Sequence, residues 1–70
     1  MLQKQLGRRI AELRRLRTLT QEQLAEAVGC SVEFISLVER GVNSPSVAGL
    51  DKFAEALGVK PRDLFVFEEE

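Results

Sequence analysis

The side chains best suited to molecular recognition fall between Gln21 and Arg40. The second half of this stretch has helical spacing, with Ile35 and Val38 on its inward side. Its outward side carries a carboxylate, a hydroxyl, an isobutyl group and a guanidinium, from Glu33, Ser36, Leu37 and Arg40. These groups accept and donate hydrogen bonds and offer an apolar contact, so they indicate noncovalent recognition.

The composition excludes several kinds of active site. The chain has no histidine, and Cys30 is its single cysteine. These counts rule out an internal disulfide and a thiolate metal cluster within one chain, and leave no residue for a His-based general base. We expect no catalytic residue, no metal and no cofactor. Cys30 is interpreted as a small, partly buried turn residue, with a redox sensor as the alternative.

Two short amphipathic segments must position the recognition side chains. In the first, Leu24, Ala25 and Val28 recur at helical spacing, and Ile35 and Val38 do so in the second. Each segment is too short to be a stable helix alone. The two helices are therefore expected to pack against each other and against the rest of the chain.

Start and stop signals support two helices joined by a tight turn. Thr20 is a predicted N-cap, with Gln23 three residues later completing a capping box, and Ser31 is a predicted N-cap for the second helix. Gly29 can adopt a left-handed conformation at the end of the first helix. The prediction is helix, tight turn, helix over about residues 21–40.

Three further helical segments complete a predicted all-α, compact five-helix bundle. Helix one is expected from about Leu2 to Arg17, helix four from Val47 to Leu57 after the Ser46 cap, and a short fifth helix from Pro61 through Phe65. The predicted core residues outside the central pair of helices are Leu6, Ile10, Leu13, Leu16, Leu19, Val47, Leu50, Phe53, Ala54, Leu57, Leu64 and Phe65.

Residues from about Leu6 to Phe65 resemble the Cro and phage-repressor type of helix-turn-helix protein, the XRE family. The resemblance is carried by Thr20-Gln21, Leu24-Ala25, Gly29, Ile35-Ser36, Glu39-Arg40-Gly41, Asn43 with Pro45-Ser46, and Leu57-Gly58-Val59. It implies a lambda-repressor-like fold, a single DNA-binding domain over residues 1–70, and double-stranded DNA as the partner.

The resemblance also implies roles for individual residues. Arg14 is expected to form a partly buried ion pair with Glu39, which would fix helix one to the helix-turn-helix. Gln21, at a helix N-terminus, is expected to contact a DNA phosphate, with an ordinary exposed residue of the first turn as the alternative. Asn43 and Ser44 are interpreted either as phosphate donors in the loop after helix three or as turn residues alone.

The outward face of helix three departs from the family's usual polar pattern. It carries Val32, Glu33, Phe34 and Leu37 where glutamine, serine, threonine or arginine is common. In one interpretation Leu37 and Val32 contact thymine methyls, and Glu33 accepts a hydrogen bond from a cytosine amino group. In the other, Phe34 belongs to the core or its flank, a partner protein covers Leu37, and this face does not read bases.

The net charge of −1 is unusual for a nucleic-acid-binding protein, but the charges are unevenly distributed. Residues 1–20 hold six basic side chains and one acidic one, a net of +5, whereas residues 21–70 hold four basic and ten acidic ones, a net of −6. Local charge sets the potential that faces a duplex. Arg8, Arg9 and Arg15 are interpreted either as part of a solvated face balanced by acidic side chains elsewhere or as phosphate contacts.

The C-terminal segment carries more apolar surface than a small monomer needs. Segment 61–67 is therefore predicted to hold a homodimer, with Leu64, Val66 and Phe67 in a two-fold interface beside the acidic tail at 68–70. The alternative is that Val66 and Phe67 fold back over helix one, because a small domain needs the coverage.

The predicted function is sequence-specific regulation of transcription, by a small repressor or controller-type protein that binds a two-half-site operator as a dimer. The alternative is a protein-interaction module on the same fold that does not read DNA, with Phe34, Leu37, Val66 and Phe67 as its binding surface. Affinity for duplex DNA that falls steeply with salt would favour the regulator.

The longest apolar run near the C-terminus, Leu64 to Phe67, is too short for a membrane helix, and the N-terminus lacks the apolar run of a signal peptide. We expect a cytoplasmic protein with no membrane association. The sequence indicates no ligand-binding domain, so no small-molecule effector is expected.

Overall fold

The computed structural model describes residues 1–68, which form four α-helices and one 3-10 helix. The helices are α1 (Leu2–Leu16), α2 (Gln21–Val28), α3 (Val32–Glu39) and α4 (Val47–Leu57), and the 3-10 helix spans Pro61–Phe65. No β-strand occurs within this range, as predicted. Within it, no helix combines the length and apolar character needed to cross a bilayer. Glu69 and Glu70 of the predicted acidic tail lie outside the described residues.

The predicted fifth α-helix is instead a single 3-10 segment. Pro61 begins it, and Asp63 closes its first turn by donating its backbone N–H to the Lys60 carbonyl and accepting the Lys60 N–H on its carboxylate, both at 2.9 Å. Five residues are enough for such a turn but too few to sustain an α-helix. At Val66 the backbone is already extended. The bundle therefore has four α-helices rather than five.

The predicted caps of the helix-turn-helix are present. The hydroxyl of Thr20 accepts the N–H of Gln23 at 3.0 Å, and the Gln23 side chain accepts the Thr20 N–H at 2.8 Å, which completes the capping box. Ser31 accepts the N–H of Phe34 at 3.1 Å. Between the two helices, Gly29 has a φ of +86°, which is the left-handed conformation that the tight turn requires.

One hydrophobic core joins all five elements. Its buried members are Leu6, Ile10, Leu13, Leu24, Ala25, Val28, Ile35, Val38, Phe53, Ala54, Leu57 and Leu64, with Leu19, Cys30, Phe34, Leu50, Ala56 and Val59 partly buried against them. Helical spacing predicted most of this set. Among the described residues, no charged or polar residue is fully buried.

Three predicted core residues lie on the surface. Leu16 is 72% exposed because it falls in the last turn of α1, off the stripe formed by Leu6 and Ile10. Val47 is 86% exposed because it opens α4 before that helix reaches the core. Phe65 is exposed too, since Leu64 is the residue of the 3-10 helix that enters the core.

Two glycines allow α1 to lie directly against the end of α3. A Cβ atom on Gly7 would overlap the carbonyl oxygen of Val38 and lie 2.9 Å from that of Glu39. Gly41 ends α3 with a φ of +77°, and a Cβ atom there would lie 2.8 Å from the Cα of Lys4. Both positions require glycine, so the pose of α3 against α1 is set by close backbone contact.

Candidate nucleic-acid interface

The outward face of α3 presents side chains of mixed chemistry. Val32, Glu33 and Arg40 are exposed, and Ser36 and Leu37 are half-buried. Ile35 and Val38 are buried on the other side, as predicted. The face thus offers a carboxylate, a guanidinium, a hydroxyl and two apolar groups from a helix whose inner side is fixed in the core.

Phe34 differs from its neighbours on α3, because its ring packs against the core cluster and is only partly exposed. It therefore flanks the outward face instead of forming its centre. The second interpretation of the sequence, in which Phe34 belongs to the core or its flank, predicts this position. The same packing reduces the apolar surface available for the alternative function as a protein-interaction module.

A hydrogen-bonded cluster of Arg14, Gln21 and Glu39, here called the Glu39 cluster, ties α3 to α1 and α2. The Nε of Arg14 donates to Oε2 of Glu39 at 2.7 Å, and its Nη2 donates to Oε1 at 3.1 Å. The side chains of Arg14 and Glu39 are only 12% and 6% exposed. The predicted ion pair is therefore present, in the bidentate geometry that guanidinium and carboxylate favour.

Two further hydrogen bonds extend the Glu39 cluster. Nη1 of Arg14 donates to the carbonyl oxygen of Leu19 at 2.8 Å, which fixes the chain between α1 and α2. Nε2 of Gln21 donates to Oε1 of Glu39 at 3.0 Å. Because a carboxylate only accepts, this bond sets the orientation of the Gln21 amide and leaves its carbonyl oxygen and second N–H for another partner. The first residue of α2 and the last residue of α3 are thus held together.

A Schellman motif ends α3 and leads into the loop that follows. Gly41 donates its N–H to the carbonyl of Val38 at 3.0 Å, and Val42 donates to that of Leu37 at 2.9 Å. Asn43 also donates its backbone N–H to Leu37, at 3.3 Å, while the side chains of Asn43 and Ser44 are exposed. Turn formation uses the backbone here, so these side chains remain accessible beside the outward face of α3.

Comparison with known proteins identifies this arrangement. A model of the helix-turn-helix family matches residues 10–64. The chain belongs to the helix-turn-helix family. It is 40% identical over 62 residues to an uncharacterized helix-turn-helix-type transcriptional regulator of Archaeoglobus fulgidus, a match that covers 89% of this chain and 87% of the relative. The resemblance found in the sequence is thereby confirmed.

Solved structures with the same helix-turn-helix fold include two bacterial regulators. The restriction-modification controller protein C.AhdI from Aeromonas hydrophila superposes with a TM-score of 0.86 at 39% identity, covering 89% of this chain and 94% of C.AhdI. The biofilm master regulator SinR, solved in complex with DNA, gives a TM-score of 0.81 at 29% identity, covering 87% of this chain and 98% of SinR. This chain is thus a helix-turn-helix protein of the transcriptional-regulator class.

Two arginines of this helix-turn-helix protein, Arg9 in α1 and Arg17 directly after it, donate hydrogen bonds within its own structure. Arg9 donates from Nε to the carbonyl oxygen of Asp63 at 2.9 Å and from Nη1 to Glu12 at 2.7 Å. Arg17 donates from Nη2 to the carbonyl oxygen of Gly58 at 3.0 Å, where α4 ends. The pairing with Glu12 agrees with the interpretation of Arg9 as part of a face balanced by acidic side chains, and the bond to Asp63 adds a structural role. Spacing alone gave no signal for these long-range contacts to backbone oxygens.

Cys30 lies half-buried in the turn between α2 and α3 and packs against the core. Burial raises the pKa of its thiol. A raised pKa keeps the thiol protonated at neutral pH, which is opposite to the environment of a reactive cysteine. These observations favour the interpretation of Cys30 as a packing residue.

The predicted dimer contacts of this helix-turn-helix protein have unequal exposure. Leu64 is 0% exposed, so a second copy could not contact its side chain. Its predicted place in the dimer interface is therefore wrong. Val66 is 57% exposed and Phe67 is half-buried. These two residues and the exposed side chain of Leu16 line a groove of about 460 Å³ between α1 and the end of the described chain, here called the C-terminal groove.

Proposed function

We propose that this helix-turn-helix protein regulates transcription by inserting the outward face of α3 into the major groove of an operator. The observation that carries the proposal is the joining of this face to α1 and α2 through the nearly buried carboxylate of Glu39. A helix that reads base edges must hold its side chains in a fixed position relative to the phosphates on either side. The Glu39 cluster meets that requirement.

In the proposed complex the residues of α3 make different kinds of contact with the DNA. Arg40 and Ser36 donate hydrogen bonds, and Glu33 accepts one from a cytosine amino group. Leu37 and Val32 contact thymine methyl groups. Glu33 repels phosphates as well, so it contributes more to specificity than to affinity.

The phosphate contacts are proposed to flank α3. Gln21 binds one phosphate with the free part of its amide, aided by the backbone N–H groups at the start of α2. Asn43 and Ser44 bind another from the loop after α3, where their side chains are exposed. These contacts set the register of the protein on the duplex and leave sequence reading to α3.

The operator is proposed to have two half-sites, bound by a homodimer. The exposed apolar side chains of the C-terminal groove, Leu16 and Val66, would be covered by the same patch of a second copy, as a two-fold interface requires. Two α3 helices would then occupy successive major grooves roughly 34–36 Å apart. In the proposed dimer, the apolar surface that is exposed on an isolated subunit is covered.

The test is selection of bound sequences from a random duplex pool, followed by competition against unrelated duplex. We expect an enriched sequence with two related halves. Arg40→Gln should weaken binding to it, whereas Lys52→Gln, which removes an exposed lysine from α4, should leave binding unchanged. Absence of any preferred duplex, even in dilute salt, would overturn the proposal.

A further inference from the structure

The interface proposed above has little net charge to bind a polyanion. Arg40 is its single cation, and the exposed carboxylate of Glu33 cancels that charge. Proteins gain most of their duplex affinity by neutralising phosphates and releasing counterions. A further cation held beside α3 is therefore required, and α1 is the element rich in basic residues.

The first turn of α1 is fixed beside the end of α3. Nε2 of Gln3 donates to the carbonyl oxygen of Gly41 at 2.9 Å. A Cβ atom on Gly41 would lie 2.6 Å from the Cγ of Lys4, so the aliphatic stem of Lys4 packs directly on this glycine. Gly7, one turn later, contacts the last carbonyl groups of α3. Lys4 is thus held next to Arg40 and the loop that carries Asn43 and Ser44.

Lys4 differs from Arg9, Arg14 and Arg17, whose guanidinium groups are bound within the fold. Lys4 is exposed, and within residues 1–68 it takes part in no ion pair. Its stem packs on Gly41 and the residue is exposed, so less conformational entropy is lost when the ammonium group binds an anion.

We propose that Lys4 is a further phosphate-binding residue, which extends the interface beyond the end of α3 onto the first turn of α1. This inference rests on the proposed function. Lys4 binds a backbone phosphate next to the one bound by the Asn43–Ser44 loop. A lysine ammonium acts as a point charge, so it adds affinity for any sequence and leaves base preference unchanged.

A purely structural role for Lys4 makes a different prediction. The stem of Lys4 packs on Gly41, just past the C-terminal end of α3, and a cation at that end stabilises the negative end of the helix dipole. Removing the charge would then lower the free energy of unfolding and leave the salt dependence of DNA binding unchanged. The two roles are therefore separated by measuring unfolding and binding on the same variants.

The experiment compares wild type, Lys4→Gln, Lys4→Arg and Lys60→Gln. The probe is a mixed-sequence duplex about three helical turns long, because the expected contact does not depend on sequence. Glutamine keeps the Cβ and Cγ atoms that pack on Gly41. Lys60 is the matched control, since it is exposed and directly precedes the 3-10 helix, which packs against α1 and α4.

Lys4→Gln should make the plot of log affinity against log salt less steep by about 0.9 for each bound subunit. Between about 50 and 200 mM salt, one such contact changes affinity about threefold. Lys4→Arg should restore the slope, and Lys60→Gln should not change it. An unchanged slope for Lys4→Gln, with wild type binding normally, would overturn this inference alone. Failure of wild type to bind any duplex would overturn the proposed function and this inference with it.

Discussion

The Glu39 cluster and the C-terminal groove lie on opposite sides of α1. The cluster is held by directional hydrogen bonds, whereas the groove is lined by exposed apolar side chains. In the cluster, one nearly buried carboxylate accepts hydrogen bonds from α1 and α2 at 2.7 to 3.1 Å. In the groove, Leu16 and Val66 are mostly exposed, and the Phe67 ring meets that of Phe65 edge-on with centroids 6.3 Å apart.

This difference separates contacts that require particular side chains from contacts that many apolar side chains could make. Hydrogen bonds to a carboxylate require donors at particular angles, so few side chains could replace Arg14 as the partner of Glu39. Apolar contact has no direction, and Val66 or Phe67 can be covered equally well by its own chain or by a second copy. Mutations within the Glu39 cluster should therefore have non-additive effects on stability. The effect of a mutation in the C-terminal groove should depend on whether a second copy or the chain itself covers the groove.

The largest predicted effect is the loss of one member of the Glu39 cluster. Arg14→Ala should lower the free energy of unfolding by about 3–5 kcal/mol, because it leaves the Glu39 carboxylate buried without its cation. Chemical denaturation measures this change. The double variant Arg14→Ala/Glu39→Ala should lose clearly less than the sum of the single losses, since no buried charge then remains unpaired.

The matched control for that prediction is Glu12→Ala. Glu12 also pairs with an arginine at 2.7 Å, but its side chain is 40% exposed. Solvent-exposed pairs contribute at most about 1 kcal/mol, so a small loss is expected. Additive single effects for Arg14 and Glu39, or losses no larger than that of Glu12→Ala, would show that burial does not couple the pair.

A smaller effect is predicted at Gly7, which fixes the same end of α3 by close packing. Gly7→Ala should lower the free energy of unfolding by about 1–3 kcal/mol, because the added methyl overlaps the Val38 carbonyl oxygen and α1 must shift away. Elsewhere on a helix this substitution is stabilising, since alanine has the higher helix propensity. Stability equal to or above that of wild type would mean that α1 does not lie as close to α3 as described.

Much of the fold could be predicted because local signals and periodicity agreed. The Thr20–Gln23 capping box, the left-handed Gly29 and the buried pair Ile35 and Val38 all depend on neighbours within a few residues. Contacts between distant elements were predicted only where the family resemblance supplied them, as for Arg14 and Glu39. Arg17, whose acceptor is the carbonyl of Gly58, had no such signal.

The wrong predictions concern residues whose burial depends on their position in the tertiary structure. Leu16 and Val47 are apolar and close to core positions in sequence, but each lies in a terminal turn of its helix and is exposed. No local pattern predicts the need for Gly7, because nothing within its own helix requires a glycine there. Only the close approach of the Val38 and Glu39 carbonyl groups explains it.

The smallest predicted effect on stability, and the one that decides what covers the C-terminal groove, is that of Phe67→Asp. If a second copy covers the groove, wild type should sediment as a dimer and Phe67→Asp as a monomer, since a two-fold interface doubles every unfavourable contact. The monomer itself should lose only about 1 kcal/mol, because Phe67 is only half-buried. Val47→Asp, at an apolar residue 86% exposed on α4, is the control and should remain dimeric. A wild type that is already monomeric, with a larger loss of stability in Phe67→Asp, would instead mean that Phe67 covers its own α1, and the two-half-site operator would then need another interface.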